Sequence, residues 1–134
     1  MGKATLARKL RMQPGQRVLI INAPSGYVEG LEPLPEGIKV EDVREGKYDF
    51  VQLFATDGAG LERLGLVALE SVAYDGLLWL SYPKQSSKVE TDLSRDVGWE
   101  IVTSAGLRPV TQVSVDETWS ALRFRPLEQV GKSK

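Results

Sequence analysis

The chain contains no cysteine and no histidine. Their absence excludes disulfides, thiolate nucleophiles, zinc sites of the Cys/His kind and every mechanism that rests on an imidazole base. Acid–base chemistry would fall to Asp, Glu, Lys or Tyr, and no segment offers a metal cluster, so no metal is expected. An excess of charge is also missing. Seventeen basic residues against 18 acidic ones leave a net charge of −1, without the positive field of a protein that grips a phosphate backbone, and no nucleic-acid partner is expected. No apolar run approaches the roughly 18 residues of a membrane span, and the basic N-terminal segment MGKATLARKLRM has no apolar stretch of signal-peptide length. No membrane partner and a cytoplasmic location are the resulting expectations.

What is present is material for a core. With 134 residues, 42% of them apolar, the chain is read as one domain, 1–134, that buries roughly two-thirds of its unfolded surface. Leu6 and Leu10 at helical spacing before Pro14-Gly15 predict a short helix over 4–11 with a solvated basic face, so that residues 1–16 form an N-terminal helix and turn. Arg17 to Asn22 (RVLIIN), Tyr48 to Phe54 (YDFVQLF) and Leu77 to Tyr82 (LLWLSY) are nearly continuous apolar runs, the pattern of parallel strands covered on both faces. Asp57 is placed to cap a crossover helix with Leu61, Leu64, Ala68 and Val72 on one stripe, ended by a turn at Asp75-Gly76. Thr91 or Asp92 is placed to cap another, with Leu93, Val97, Ile101 and Ala105 as its stripe and Gly106 beyond its end.

Pro109 to Val115 and Trp119 to Arg125 alternate polar and apolar residues around Asp116-Glu117-Thr118, which predicts a hairpin at a sheet edge. Residues 127–134 are expected to fray. Between 23 and 47, Pro24, Pro33 and Pro35 leave room for a short helix and a short strand at 38–40. The seven residues 41–47 then fall short of the dozen or so that a parallel crossover needs, so either this part is abbreviated or that strand lies at an edge. The expected fold is α/β: a Rossmann-like three-layer sandwich, with a mostly parallel sheet of five or six strands and a C-terminal antiparallel hairpin.

The segments QPGQRVLIIN, YDFVQLF, DGLLWLSYP and TDLSRDVGWEIVTSAGL with the closing hairpin together resemble a class I S-adenosylmethionine-dependent methyltransferase core with its middle shortened, over residues 5–126. The phrases SYPKQSS, TDLSRDVGW and DETWSALRFRP look like an uncharacterised bacterial family of short methyltransferase-like proteins, a domain of unknown function. The methyltransferase pattern places an acidic residue and three glycines at what are here Ile20, Asn22, Pro24 and Gly26. Only Gly26 matches, and proline fixes φ and removes an N–H where glycine would let the backbone approach a ligand. The resemblance implies a ribose-binding carboxylate at Glu41 or Asp42.

In open α/β sheets ligands settle beyond the carboxyl ends of the strands, near the point where strand order reverses. Three loops are expected to converge there: residues 22–27, 55–58 and 83–90. In the first, Asn22, Ser25, Gly26 and Tyr27 would form a small-ligand pocket, or else a turn that only reverses the chain. In the third, Lys84, Ser86, Ser87 and Lys88 precede an expected helix N-terminus, an arrangement suited to an anion or to a solvated mobile connection. No catalytic residue is nominated. With most of its cofactor loop missing, the chain is read as a non-catalytic small-ligand or protein-binding module with no cofactor. The alternatives are a methyltransferase that binds S-adenosylmethionine through an atypical loop, and a homodimeric assembly protein that pairs through a hairpin face of Trp119, Leu122 and Phe124.

Overall fold

The computed structural model describes residues 5–41 and 45–132. In chain order the elements are α1 (Leu6–Lys9), β1 (Arg17–Ile21), α2 (Tyr27–Gly30), β2 (Lys39–Glu41), β3 (Tyr48–Phe54), α3 (Gly58–Ser71), β4 (Val72–Pro83), α4 (Glu100–Thr103), β5 (Leu107–Ser114) and β6 (Trp119–Pro126), followed by a 3-10 turn at Leu127–Gln129. The six strands form one sheet in the order β2-β1-β3-β4-β6-β5. The first four are parallel, and β6 inserts antiparallel between β4 and β5. The α/β, Rossmann-like, mostly parallel architecture with a closing antiparallel hairpin is the one expected.

Alternation along the strands sends successive side chains to opposite faces, and each face carries a core. Leu19, Val51, Leu53, Leu78, Leu80, Leu122 and Phe124 pack under α3, with Leu61 and Ala68. Val18, Ile20, Phe50, Trp79 and Ala121 pack under α1 and the α2 region, with Leu10 and Leu31. Burial on both sides is why these strands read as continuous apolar runs. The Trp79 indole N–H donates to the Leu10 carbonyl at 2.9 Å, so the N-terminal segment is fastened across the middle of the sheet.

Four expectations about local structure are corrected. The helix capped by Asp57, whose carboxylate accepts from the Gly60 N–H at 2.8 Å, runs into β4 at Val72 with no intervening turn. Asp75-Gly76 is instead an irregularity inside the strand, with Asp75 at φ 55° and the register slipping opposite Tyr48/Phe50. A Cβ on Gly76 would stand 3.0 Å from the Ala73 carbonyl and 3.1 Å from the Asp49 carbonyl of the neighbouring strand, so close backbone approach favours glycine there.

The second correction concerns the helix expected to begin at Thr91 or Asp92: only Glu100–Thr103 is helical. The Asp92 carboxylate goes elsewhere, accepting from the Gly58 N–H at the start of α3 at 2.7 Å. Gly98 takes φ 104°, which an α-helix cannot contain. Leu93 is fully buried while Val97 is 57% exposed, so the helical stripe does not exist. Third, the residues after Pro126 do not all fray: the Leu127 N–H donates to Gly106 O at 2.9 Å, and Arg125 Nη1 donates to Lys132 O at 3.0 Å. Fourth, the N-terminal helix is shorter than expected, four residues capped by Thr5; Ala4 lies outside the described residues.

β2 is an edge strand of three residues, and residues 42–44 of its short link to β3 lie outside the described residues. Arg17 fastens the return, its Nη1 donating to Lys47 O at 3.0 Å and its Nη2 to Glu45 O at 2.9 Å. Its guanidinium also lies 4.2 Å from the Tyr48 ring centroid. At the other side of the sheet the outer strand is β5, whereas Leu122 and Phe124 of β6 are 1% exposed. Among the described residues, no helix is long and apolar enough to cross a membrane.

Candidate functional site

Strand order reverses between β1, whose chain next goes to β2 on one side, and β3 on the other. The loops leaving the carboxyl ends of β1, β3 and β4 are therefore the ones to build a site from. The first loop is held by two side chains. Asn22, in the left-handed region at φ 61°, donates from Nδ2 to the Phe54 carbonyl at 2.9 Å, tying the end of β1 to the end of β3. Tyr27 donates its hydroxyl to Gln52 Oε1 at 2.7 Å, and Gln52 Nε2 donates to Ser81 Oγ at 3.0 Å. This chain runs through fully buried Gln52, so the turn is anchored in the core. The Tyr27 ring stands edge-on to Phe54 with centroids 4.6 Å apart, and burial pushes its phenol well above the ordinary tyrosine range.

Gly26 lies at φ 80° with nothing within 4 Å of where a Cβ would stand. Ser25, Gly26 and Tyr27 face a cavity of about 270 Å³ shared with Leu6 and Asp116. A larger cavity of about 670 Å³ lies beside the second and third loops, walled by Asp57, Ala59, Gln85 and Ser87–Asp92. The three loops share one edge of the sheet, then, but line two separate cavities.

Within the third loop, Ser87 and Lys88 line the larger cavity, and Ser86 is exposed. Lys84 turns away: its Nζ donates to Ser114 Oγ at 2.6 Å. Ser87 Oγ donates to Lys84 O at 2.8 Å, and Gln85 Nε2 donates to Leu93 O at 3.0 Å. Because residues 91–99 are not helical, the helix dipole invoked for an anion here is missing.

Glu41 is set apart from these loops. In register it lies beside Leu19, two residues below the end of β1 at Ile21, a drop of roughly 7 Å at strand rise. Its carboxylate accepts from the Tyr48 hydroxyl at 2.7 Å and pairs with Arg17 Nη2 at 3.4 Å. The Tyr48 hydrogen bond chiefly, with Arg17 adding to it, lowers its pKa. Asp42 lies outside the described residues.

Reading the sequence missed Gln52, the keystone of the Tyr27 anchor. The signal was present, since a glutamine inside the apolar run YDFVQLF must find buried partners. It also missed that Asp92 closes the mouth of α3, which depends on a contact across 34 positions.

No protein-family model and no curated protein sequence matches the chain. Solved structures do. The fibrillarin pre-rRNA processing protein of Methanococcus jannaschii superposes with a TM-score of 0.61 at 11% identity, over 84% of this chain and 67% of that one. The ribosomal protein L11 methylase of Lactobacillus delbrueckii subsp. bulgaricus gives 0.55 at 12% identity, over 89% and 73%. Phosphoethanolamine N-methyltransferase 2 of Haemonchus contortus, solved with S-adenosyl-L-methionine, gives 0.56 at 14% identity, over 90% of this chain and 35% of that one. At such identities the likeness is one of fold. Two of these are named for methylation, the L11 methylase and the Haemonchus N-methyltransferase, and the latter was solved with S-adenosyl-L-methionine; this goes against the expectation of a non-catalytic module without a cofactor and favours its methyltransferase alternative.

Proposed function

We propose that this protein is an S-adenosylmethionine-dependent methyltransferase with an atypical cofactor loop. The observation that carries the reading is the strand order β2-β1-β3-β4-β6-β5 with β6 antiparallel, which opens a binding edge at the reversal between β1 and β3, on a fold shared with methyltransferases. The finer likeness, to the short bacterial methyltransferase-like family, belongs to the same proposal and rests on the phrases quoted above.

The residues at that edge fit a cofactor held through backbone rather than through charge. Gly26 has open space where a Cβ would stand, and Asn22 and Tyr27 pin the turn on either side of it. Pro24 has no N–H to offer, so donation falls to the amides of Ser25 and Gly26. The rim of the larger cavity is fixed by Asp57 and Asp92, each accepting a backbone N–H of α3, and about 670 Å³ lies within the usual range for a small-molecule site, roughly 300–1,000 Å³. When bound, the cofactor supplies a methyl group on a positively charged sulfur. The chain's own part is to position donor and acceptor and to exclude water.

Calorimetric titration of the folded protein with S-adenosylmethionine and S-adenosylhomocysteine is the test. Saturable micromolar binding, weakened by Gly26→Val, is the expected result. The absence of heat with both ligands would overturn the proposal.

A further inference from the structure

At the opposite end of the sheet from the candidate cofactor edge, a cavity of about 380 Å³ is lined by Arg11, Gln13, Gln16, Asp49, Tyr74 and Arg123, among others. The strand irregularity at Asp75-Gly76 shapes one wall. Arg123 is 2% exposed, and its Nε and Nη2 are sealed from solvent without any hydrogen-bond partner. A guanidinium carries five donors and cannot shed its charge at neutral pH, so leaving it buried and unpaired is unfavourable.

The strand neighbour on the same face makes the contrast. Arg125 grips Asp75 through two parallel hydrogen bonds, Nε to Oδ1 and Nη2 to Oδ2, both 2.9 Å. That fork engages the acid whose charge favours the charged form of Arg123. Asp49, also in the cavity wall, accepts the Arg17 backbone N–H at 2.9 Å. Arg11, a second cation in the cavity lining, acts with burial and with Arg125 in disfavouring the charge on Arg123. Arg11 is held at φ 67°, a strained conformation for a non-glycine residue, and the adjoining Met12 N–H closes back on Ala7 O at 3.0 Å. Two cations therefore face one cavity, and the two acids beside them, Asp49 and Asp75, each already accept hydrogen bonds elsewhere.

We propose that this cavity binds a small oxyanion, a phosphate or carboxylate group, with Arg123 as its principal ligand and Arg11 as the second cation. A planar two-oxygen acceptor matches the guanidinium fork and supplies the hydrogen bonds that the protein withholds. The site is separate from the cofactor edge, and its test needs no cofactor.

The test is titration of the full chain at constant ionic strength with inorganic phosphate, followed by calorimetry and ³¹P line broadening, and in parallel with acetate. Saturable single-site binding of at least one of them is expected; phosphate alone or acetate alone identifies the class. Arg123→Gln and Arg11→Asn are each expected to weaken binding tenfold or more. Asn accepts the left-handed backbone, so Arg11→Asn decides the matter if Arg123→Gln does not fold. In anion-free buffer, Arg123→Met is expected to raise Tm, because an unpaired buried charge is replaced by an apolar side chain of similar length. No saturable binding to the wild-type protein would overturn the proposal, leaving ordered water as the partner of Arg123. Equal affinity in the Arg11 and Arg123 variants would overturn it too.

Discussion

Replacing Tyr27 by phenylalanine removes one oxygen and keeps the ring that packs on Phe54. Gln52 is fully buried and loses the donor to its Oε1, the Tyr27 hydroxyl at 2.7 Å, while its Nε2 keeps Ser81. A buried acceptor left without a partner costs about 1–3 kcal/mol. Taking about 2 kcal/mol, and the unfolding entropy usual for a chain of this length, the expected drop in Tm is roughly 7 °C. Urea unfolding followed by tryptophan fluorescence measures the loss as a lower midpoint at unchanged slope. A cycle with Gln52→Leu and the double variant isolates the bond, with a coupling of about 1 kcal/mol or more expected. The turn that carries Gly26 hangs from this bond, so Tyr27→Phe is also expected to weaken S-adenosylmethionine binding. A loss under about 0.5 kcal/mol, the level of an ordinary surface change, together with zero coupling would refute the idea that the core anchors the turn.

Four other outcomes follow from the same geometry. Leu93→Ala should cost about 2–5 kcal/mol as a core truncation, whereas Val97→Ser should stay within about 0.5 kcal/mol; comparable losses at both positions would restore the helix that the structure denies. Asp92→Ala should cost about 1 kcal/mol through the lost cap on α3 and loosen residues 85–92, read as faster amide exchange there. Glu41 has a lowered pKa, so its contribution to stability is present above the ordinary carboxylate pKa and disappears as pH falls through the folded value. The stability gap between wild type and Glu41→Gln should close in acid, while affinity for S-adenosylmethionine is unchanged. Tyr27 has a raised pKa, so the unfolded chain releases its proton first and stability should fall as pH climbs above about 10; a flat alkaline limb in urea titrations at successive pH values would contradict this.

The sheet was legible because its cause is local. Tyr48–Phe54 carries apolar residues at adjacent positions, Phe50-Val51 and Leu53-Phe54, and a strand covered on both faces tolerates that. Asp57 was legible as a cap for the same reason, since its partner Gly60 is three residues away. The stretch from Thr91 to Gly106 misled because a capping residue and a periodic stripe are also what a loop shows when its polar and apolar residues serve distant elements. Asp92 is a genuine cap, but of α3, and Leu93 is genuine core, in the cluster under α3. Arg123 was invisible as a buried charge because alternation in WSALRFR suggests an exposed face, whereas β6 lies inside the sheet with one core cluster packed on each of its faces.

The shortened crossover explains the departure at the cofactor edge. A second strand of full length would carry its last side chain to the rim where a ligand lies. The described part of β2 ends beside Leu19, and the link to β3 has a fastening of its own. Arg17 provides it by reaching Glu45, Lys47 and Tyr48, and Glu41 is the carboxylate that holds Arg17 and Tyr48 in place. The same acid cannot stand roughly 7 Å higher to meet a ribose. The Glu41 carboxylate thus serves chain closure. What remains for recognition at that edge is backbone around Gly26 and the rim set by Asp57 and Asp92, so affinity there is expected to follow turn geometry far more than the protonation of any carboxylate on β2.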